Sequence, residues 1–353
     1  MNGMNSIHDD VAIEEVRRQL RIEPDALRRL RNAFYKKRLG ASAALEQLPA
    51  DIRSHFAARI AFHALTQHSR HDSRVDGASK LILRTAEGRL LETVLLRIAS
   101  GRTSICVSSQ VGCAVRCSFC ATGQMGVAID LRHEEIVDQI VQAGEALLAE
   151  KRSIRNVVFM GMGEPLLNED EVTKTVETLI APGRFHLSPA HVLVSTVGIP
   201  EALTRFARRF PRVGLAVSLH SATPETRQRI IPLARKYPLE RLREAIAAAL
   251  AVQSRPIMIE YLLLDGVNDT DAERTALIQY LAGLPVHINF IPYNPIASAP
   301  DLAGTPEPRR RQFAAALSAA GFKVTIRYSL GADIAAACGQ LVQQAQRAAV
   351  EMS

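Results

Sequence analysis

Six short apolar runs recur along this chain, at residues 104–108, 156–162, 191–197, 213–220, 256–264 and 286–293, and each is separated from the next by room for a helix. Strands that alternate with helices pair in parallel through right-handed crossovers. Runs such as Val157-Val158-Phe159-Met160 and Ile288-Asn289-Phe290-Ile291 are apolar on both faces, so both faces need cover. The clearest helix spans 134–148, with Ile136, Val137, Ile140, Val141, Leu147 and Leu148 on one stripe. The pattern predicts an α/β fold whose parallel sheet curls into a six-stranded partial barrel. A seventh strand is expected over 324–328 and a last helix from about 332 to 349. Upstream, residues 11–68 read as helices with Pro24 and Pro49 at starts or breaks, and 80–84 and 91–96 read as a hairpin about Glu87-Gly88.

Ligands of parallel α/β folds collect at the carboxyl ends of the strands. The polar and glycine-rich segments of this chain fall there: Gly161-Met-Gly-Glu-Pro165 after the second strand, Ser195-Thr-Val-Gly198 after the third, Ser218-Leu219-His220 at the end of the fourth and Tyr293-Asn294-Pro295 after the sixth. Each alone could be an ordinary turn. Together with the loop after the first strand they form a rim of carbonyls and hydroxyls suited to a zwitterionic adenosyl ligand.

That first loop holds three of the five cysteines, Cys113, Cys117 and Cys120, spaced Cys-x-x-x-Cys-x-x-Cys. Three thiolates are one short of a closed zinc site or an all-cysteine iron–sulfur cluster. A cluster held by three cysteines leaves one iron for a small molecule, and the amino and carboxylate groups of S-adenosylmethionine can chelate it. Cys106 could instead complete a zinc knuckle, making a zinc-stabilised RNA-binding module, although such sites usually come as two Cys-x-x-Cys pairs. A disulfide framework fits neither the length of 353 residues nor the low cysteine content.

No apolar run approaches the roughly 18 residues of a membrane span. With Asp9, Asp10, Glu14 and Glu15 near the start in place of a basic segment and an apolar one, the chain is expected to be cytoplasmic and without a membrane partner. The net charge of +7 leans toward a polyanion. Basic residues cluster at 17–38, at Arg205, Arg208, Arg209 and Arg212, and at 309–311, either as solvated helix faces or as phosphate contacts.

The stretches Cys106-Val-Ser-Ser-Gln-Val-Gly-Cys113, Gly161-Met-Gly-Glu-Pro-Leu-Leu-Asn168, Ser218-Leu-His-Ser-Ala222, Ile291-Pro-Tyr-Asn-Pro295 and Ala336-Ala-Cys-Gly-Gln-Leu341 resemble the RlmN/Cfr family of radical S-adenosylmethionine RNA methyltransferases, from about residue 92 to 341. The resemblance implies a radical-enzyme barrel over 101–353 with a C-terminal extension. It also implies a helical accessory domain for RNA over 1–75 and a hairpin connector over 76–100. By similarity, Cys113, Cys117 and Cys120 hold a 4Fe-4S cluster, and Gly163, Glu164, Ser195, Ser218, Leu219, His220 and Asn294 contact S-adenosylmethionine. The implied chemistry methylates an adenosine base carbon, C2 or C8, of ribosomal or transfer RNA. An aromatic C–H carbon of adenine is not nucleophilic, so a radical detour is needed: Cys338 is methylated first, its methyl carbon is activated and joined to the base, Glu92 removes a proton, and Cys106 releases the product by forming a disulfide with Cys338. An electron donor such as flavodoxin or ferredoxin is implied, and the enzyme is expected to act as a monomer. A divergent member with another substrate is the alternative enzyme reading.

Two segments depart from the family pattern. Ala128-Ile-Asp-Leu131 replaces a usual Arg-Asn-Leu, and Leu330-Gly-Ala-Asp333 replaces an arginine and two acids about the glycine. Both bear on the choice of RNA and leave the cysteines untouched.

Overall fold

The computed structural model describes residues 4–98 and 100–341. Helices α1 (Asp10–Gln19), α2 (Pro24–Arg31), α3 (Gly40–Leu45) and α4 (Ala50–Ala57) come first. The Asp9 carboxylate caps α1 by accepting from the Val11 and Ala12 amides, which otherwise lack intrahelical acceptors. This unit is fastened to the body through Tyr35, whose hydroxyl donates to the Ile7 carbonyl at 2.9 Å while the Arg184 guanidinium lies 4.6 Å from its ring centre.

Ten strands then build one sheet: β1 (Thr66–Asp72), β2 (Ala78–Arg84), β3 (Leu90–Arg97), β4 (Thr103–Cys106), β5 (Asn156–Phe159), β6 (Val192–Thr196), β7 (Gly214–Ser218), β8 (Ile257–Leu262), β9 (Val286–Ile291) and β10 (Lys323–Ile326). Every strand lies beside its neighbours in sequence. From β4 to β10 the pairing is parallel, with helices between: α5 (His133–Ala149), α6 (Glu169–Ile180), α7 (Pro200–Arg209), α8 (Pro224–Ile230), α9 (Leu239–Leu250), α10 (Asp271–Leu281) and α11 (Glu307–Ala319). The six expected strands and the seventh are present. The hairpin is part of the same sheet, because β3 pairs antiparallel with β4 and a further strand, β1, extends that edge from Thr66, a position read as helical from the sequence.

Ile105, Val157, Phe159, Val194, Val217, Ile259, Ile288 and Phe290 are buried in the sheet. Two buried polar side chains of α5 are matched by backbone groups. Asp138 of α5 is fully buried and accepts from the Ala64 and Leu65 amides at 3.0 and 2.8 Å, which pins the start of β1. The next residue, Gln139, accepts from the Ser108 amide at 2.8 Å and donates to the Ser108 carbonyl at 2.9 Å, which anchors the root of the cysteine loop.

The expected last helix is the main correction. Within the described residues the segment's only helical element is one short 3-10 turn, Ala332–Ile334, and the remainder of that expectation, from 342 on, lies outside them. Gly331, Ala335 and Gly339 all have positive φ, which breaks helical continuity. Polar groups along the segment find partners elsewhere. Asp333 accepts from the Ser73 hydroxyl at 2.8 Å and the Arg74 amide at 3.0 Å, and the Gly339 carbonyl accepts from the Ala121 amide at 2.7 Å.

Candidate active site

The loop between β4 and α5 is held in place by its own backbone and by side chains from the next strand end. Residues Gln110–Gly112 and Ala128–Asp130 form a short antiparallel pair that brackets the three cysteines. Asn168 donates to the Ser109 and Leu131 carbonyls, both at 2.8 Å, and Gln110 accepts from the Glu164 amide at 2.9 Å. Gly163 is where the next loop crosses this one. At φ +96° a Cβ there would lie 2.5 Å from Cβ of Gln110, so the close crossing needs glycine.

Cys113, Cys117, Cys120, Gly163, Glu164, Ser195, Ser218, His220, Asn294 and Cys338 line one cavity at the carboxyl ends of the strands. Leu219 lies beneath this rim, fully buried. The Ser195 and Ser218 hydroxyls are 3.4 Å apart. Glu164 points both carboxylate oxygens at backbone, accepting from the Leu166 amide at 2.9 Å and the Val197 amide at 2.8 Å; burial pushes its pKa up and those amides pull it back. His220 sits at φ +55° with Nδ1 accepting from the Leu262 amide at 3.0 Å, which leaves the proton on Nε2. Burial, with the charge of Arg227 added, lowers its pKa to about 3, so it lines the cavity as a neutral ring.

Cys338 also faces a second cavity, which it shares with Cys106, Met160 and Arg327. Cys338 is exposed, Cys106 is buried, and all five cysteines are free thiols. The segment carrying Cys338 is held from three sides: Asn294 Nδ2 donates to the Cys338 carbonyl at 3.0 Å, Lys80 Nζ to the Ala335 carbonyl at 3.1 Å, and Gly339, at φ +85°, passes close to the cysteine loop. Glu92 is buried on β3 with one oxygen 3.3 Å from Lys80 Nζ. It shares a strand face with Val94, which is in register with Cys106 and lines the second cavity. The structure thus brings Cys106 and Cys338 to one cavity, apart from the three clustered cysteines in the case of Cys106, while Glu92 lines neither of these two cavities.

Several contributors were missed from the sequence. Buried Arg227 donates to the Ser218, Leu219 and Val197 carbonyls and so shapes the rim, but an arginine in an amphipathic helix gives no such signal. Glu260 lines the first cavity with Oε1 buried and unpaired among the described residues, while Oε2 accepts from Asn289 at 2.6 Å. Lys80 looks like a surface residue in a one-dimensional reading but is buried.

The donor set suits an iron–sulfur cluster with a bound adenosyl amino acid. Three soft thiols face one cavity, and an unpaired buried carboxylate oxygen, a neutral imidazole and two hydroxyls stand ready for a polar ligand beside them. Among the described residues no three His, Cys, Asp or Glu are grouped to hold a single metal ion. No described helix is long and apolar enough to cross a membrane.

A model of the radical SAM superfamily matches residues 107–277. A probable RNA methyltransferase of Rhodopirellula baltica is 50% identical over 95% of this chain and 87% of its own length. The dual-specificity RNA methyltransferase RlmN of Sorangium cellulosum is 39% identical over 85% of each chain. The crystal structure of a radical SAM methyltransferase from Sphaerobacter thermophilus superposes with a TM-score of 0.90 at 36% identity, covering 96% of this chain and 99% of that one. The protein therefore belongs to the RlmN/Cfr family of radical SAM RNA methyltransferases, and the partial-barrel fold and enzymatic class expected from its motifs stand.

Proposed function

We propose that this enzyme methylates a base carbon of an adenosine, C2 or C8, in ribosomal or transfer RNA by way of a methylated Cys338. One observation carries the reading: Cys338 lies at the junction of two cavities, one lined by the three clustered cysteines and the other by Cys106. The names of the relatives from Rhodopirellula baltica and Sorangium cellulosum support RNA as the substrate.

Cys113, Cys117 and Cys120 would hold the 4Fe-4S cluster, with Gly163, Glu164, Ser195, Ser218, Leu219, His220 and Asn294 around S-adenosylmethionine. Bound there, these groups supply the methyl donor and a one-electron means of removing hydrogen. Cys338 receives the methyl group on sulfur and presents its carbon to the adenine ring, which arrives through the open side of the cavity. Glu92 then takes the proton from the base carbon as the covalent adduct gives up its unpaired electron, which restores the aromatic ring. The Glu92 carboxylate lies 3.3 Å from Lys80 Nζ. Cys106, as the thiolate, attacks the Cys338 sulfur; the sulfur–carbon bond breaks with its electron pair going to the carbon, which takes up a proton to become the methyl group of the released base, and the two cysteines are joined as a disulfide. The N-terminal helices are read as the accessory RNA-binding domain, with an external one-electron donor such as flavodoxin or ferredoxin.

Anaerobic reconstitution with iron and sulfide, followed by assay on total RNA, tests the scheme. The wild type should turn brown and methylate adenosine. Cys338→Ala should be brown but inactive, and Cys106→Ala should accumulate a covalent protein–RNA adduct on denaturing gels. A colourless wild type, or methylation by Cys338→Ala, overturns it.

A further inference from the structure

Beside the two cavities of the active site is a third, with 410 Å³ of space, lined by Pro292, Asn294, Arg310, Arg311, Arg327 and Tyr328 among others. It is continuous with the chemistry, because Asn294 also lines the cofactor cavity and Arg327 also lines the cavity of Cys106 and Cys338. Its charge is only partly compensated: Glu307 also lines it and pairs with Arg311, which leaves Arg310 and Arg327 outside any ion pair among the described residues. Arg17, Arg18, Arg28 and Arg31 are engaged by acids, and so are Arg205, Arg209 and Arg309. Arg310 Nε is buried with no partner among the described residues, and the guanidinium of Arg327 makes no ion pair or hydrogen bond among them. At the mouth stands Tyr328, 87% exposed, a large aromatic ring that costs free energy in water unless it is covered.

Resting on the RNA methyltransferase reading above, we propose that this third cavity binds the nucleotide next to the target adenosine, its phosphodiester on Arg310 and Arg327 and its base stacked on Tyr328. Two guanidinium groups held in no ion pair give a forked site for a phosphate oxygen. An exposed ring beside them is the usual platform for an unstacked base, and stacking of that kind is indifferent to base identity. The volume falls in the range of small-ligand pockets. A single-stranded or splayed-out target is implied, because a base within a helix presents no face to an aromatic ring.

Fluorescence anisotropy with the full reconstituted protein and a short labelled single-stranded RNA containing one adenosine tests this. Tyr328→Ala and Arg310→Gln should each weaken binding about tenfold, while Tyr328→Phe binds as the wild type does. The slope of log affinity against log salt should fall by about one for Arg310→Gln and stay unchanged for Tyr328→Ala, a split that general loosening of the fold would not produce. If the wild type binds this RNA and both variants bind equally well, the nucleotide site is wrong while the enzyme class stands. If the wild type shows no affinity for RNA, the substrate reading fails and takes this site with it.

Discussion

Lys80 and Glu92 are paired charges of this site withdrawn from water, at 4% and 2% side-chain exposure. A buried pair is costly to assemble, but removing one partner is worse, because the remaining charge keeps its desolvation penalty without its attraction. Lys80→Met should therefore destabilise the fold by about 3 kcal/mol in urea titration, and Lys80→Met with Glu92→Gln should recover much of that loss. His220 carries a different signature. An ordinary histidine titrates near 6.5 and this one near 3, because burial penalises its charged form. The unfolded chain thus takes up the proton first. The stability contributed by a neutral His220 is fully present above about pH 6.5 and is lost as pH falls from there toward 3. His220→Asn should make the acid slope of unfolding free energy shallower by about one proton across that window, measured by denaturation at several pH values. Buried His8 has the same sign, so a residual slope should remain.

At the scale of elements, the segment 331–341 shows where sequence patterning stops. Its alanines have high helix propensity, and propensity alone predicts a helix. The structure instead distributes its polar contacts among neighbours: Asp333 to the turn after β1, Ala335 to Lys80, Cys338 to Asn294 and Gly339 to the cysteine loop. Those partners are tens to hundreds of positions away, so no local window contains them. The parallel strands were legible because burial on both faces leaves an apolar run, and the cofactor rim was legible because strand ends in such folds converge. Lys80, Arg227 and Glu260 were not, since what makes them informative is burial, which single residues do not announce. Asp333→Ala removes the acceptor for the Ser73 hydroxyl and the Arg74 amide. Hydrogen exchange should accelerate at the Arg74, Ala335 and Ala336 amides, with the global unfolding midpoint little changed, because Asp333 sits in solvent.

Over the whole molecule the formal charge of +7 overstates what a polyanion meets. Arginines on α7 face acids on α6: Arg205 lies 2.5 Å from Glu169, and Arg209 is paired with Glu177. Counterion release counts phosphates newly neutralised, and an arginine already held by a carboxylate must give up that partner before it can contribute. Pairs this exposed contribute little to stability, since Coulomb attraction in water is weak and ordering two long side chains opposes it. The double variant Arg205→Gln with Arg209→Gln should therefore fold normally and bind RNA within about twofold of the wild type, with the same salt slope. Replacing their partners does the opposite. Glu169→Gln with Glu177→Gln frees two guanidinium groups on one helix face, and nonspecific RNA affinity at low salt should rise, with a slope steeper by about one to two. Measuring both double variants across a salt series separates a face that merely carries charge from one that uses it, and equal loss of affinity in the arginine variant would put α7 in the RNA path.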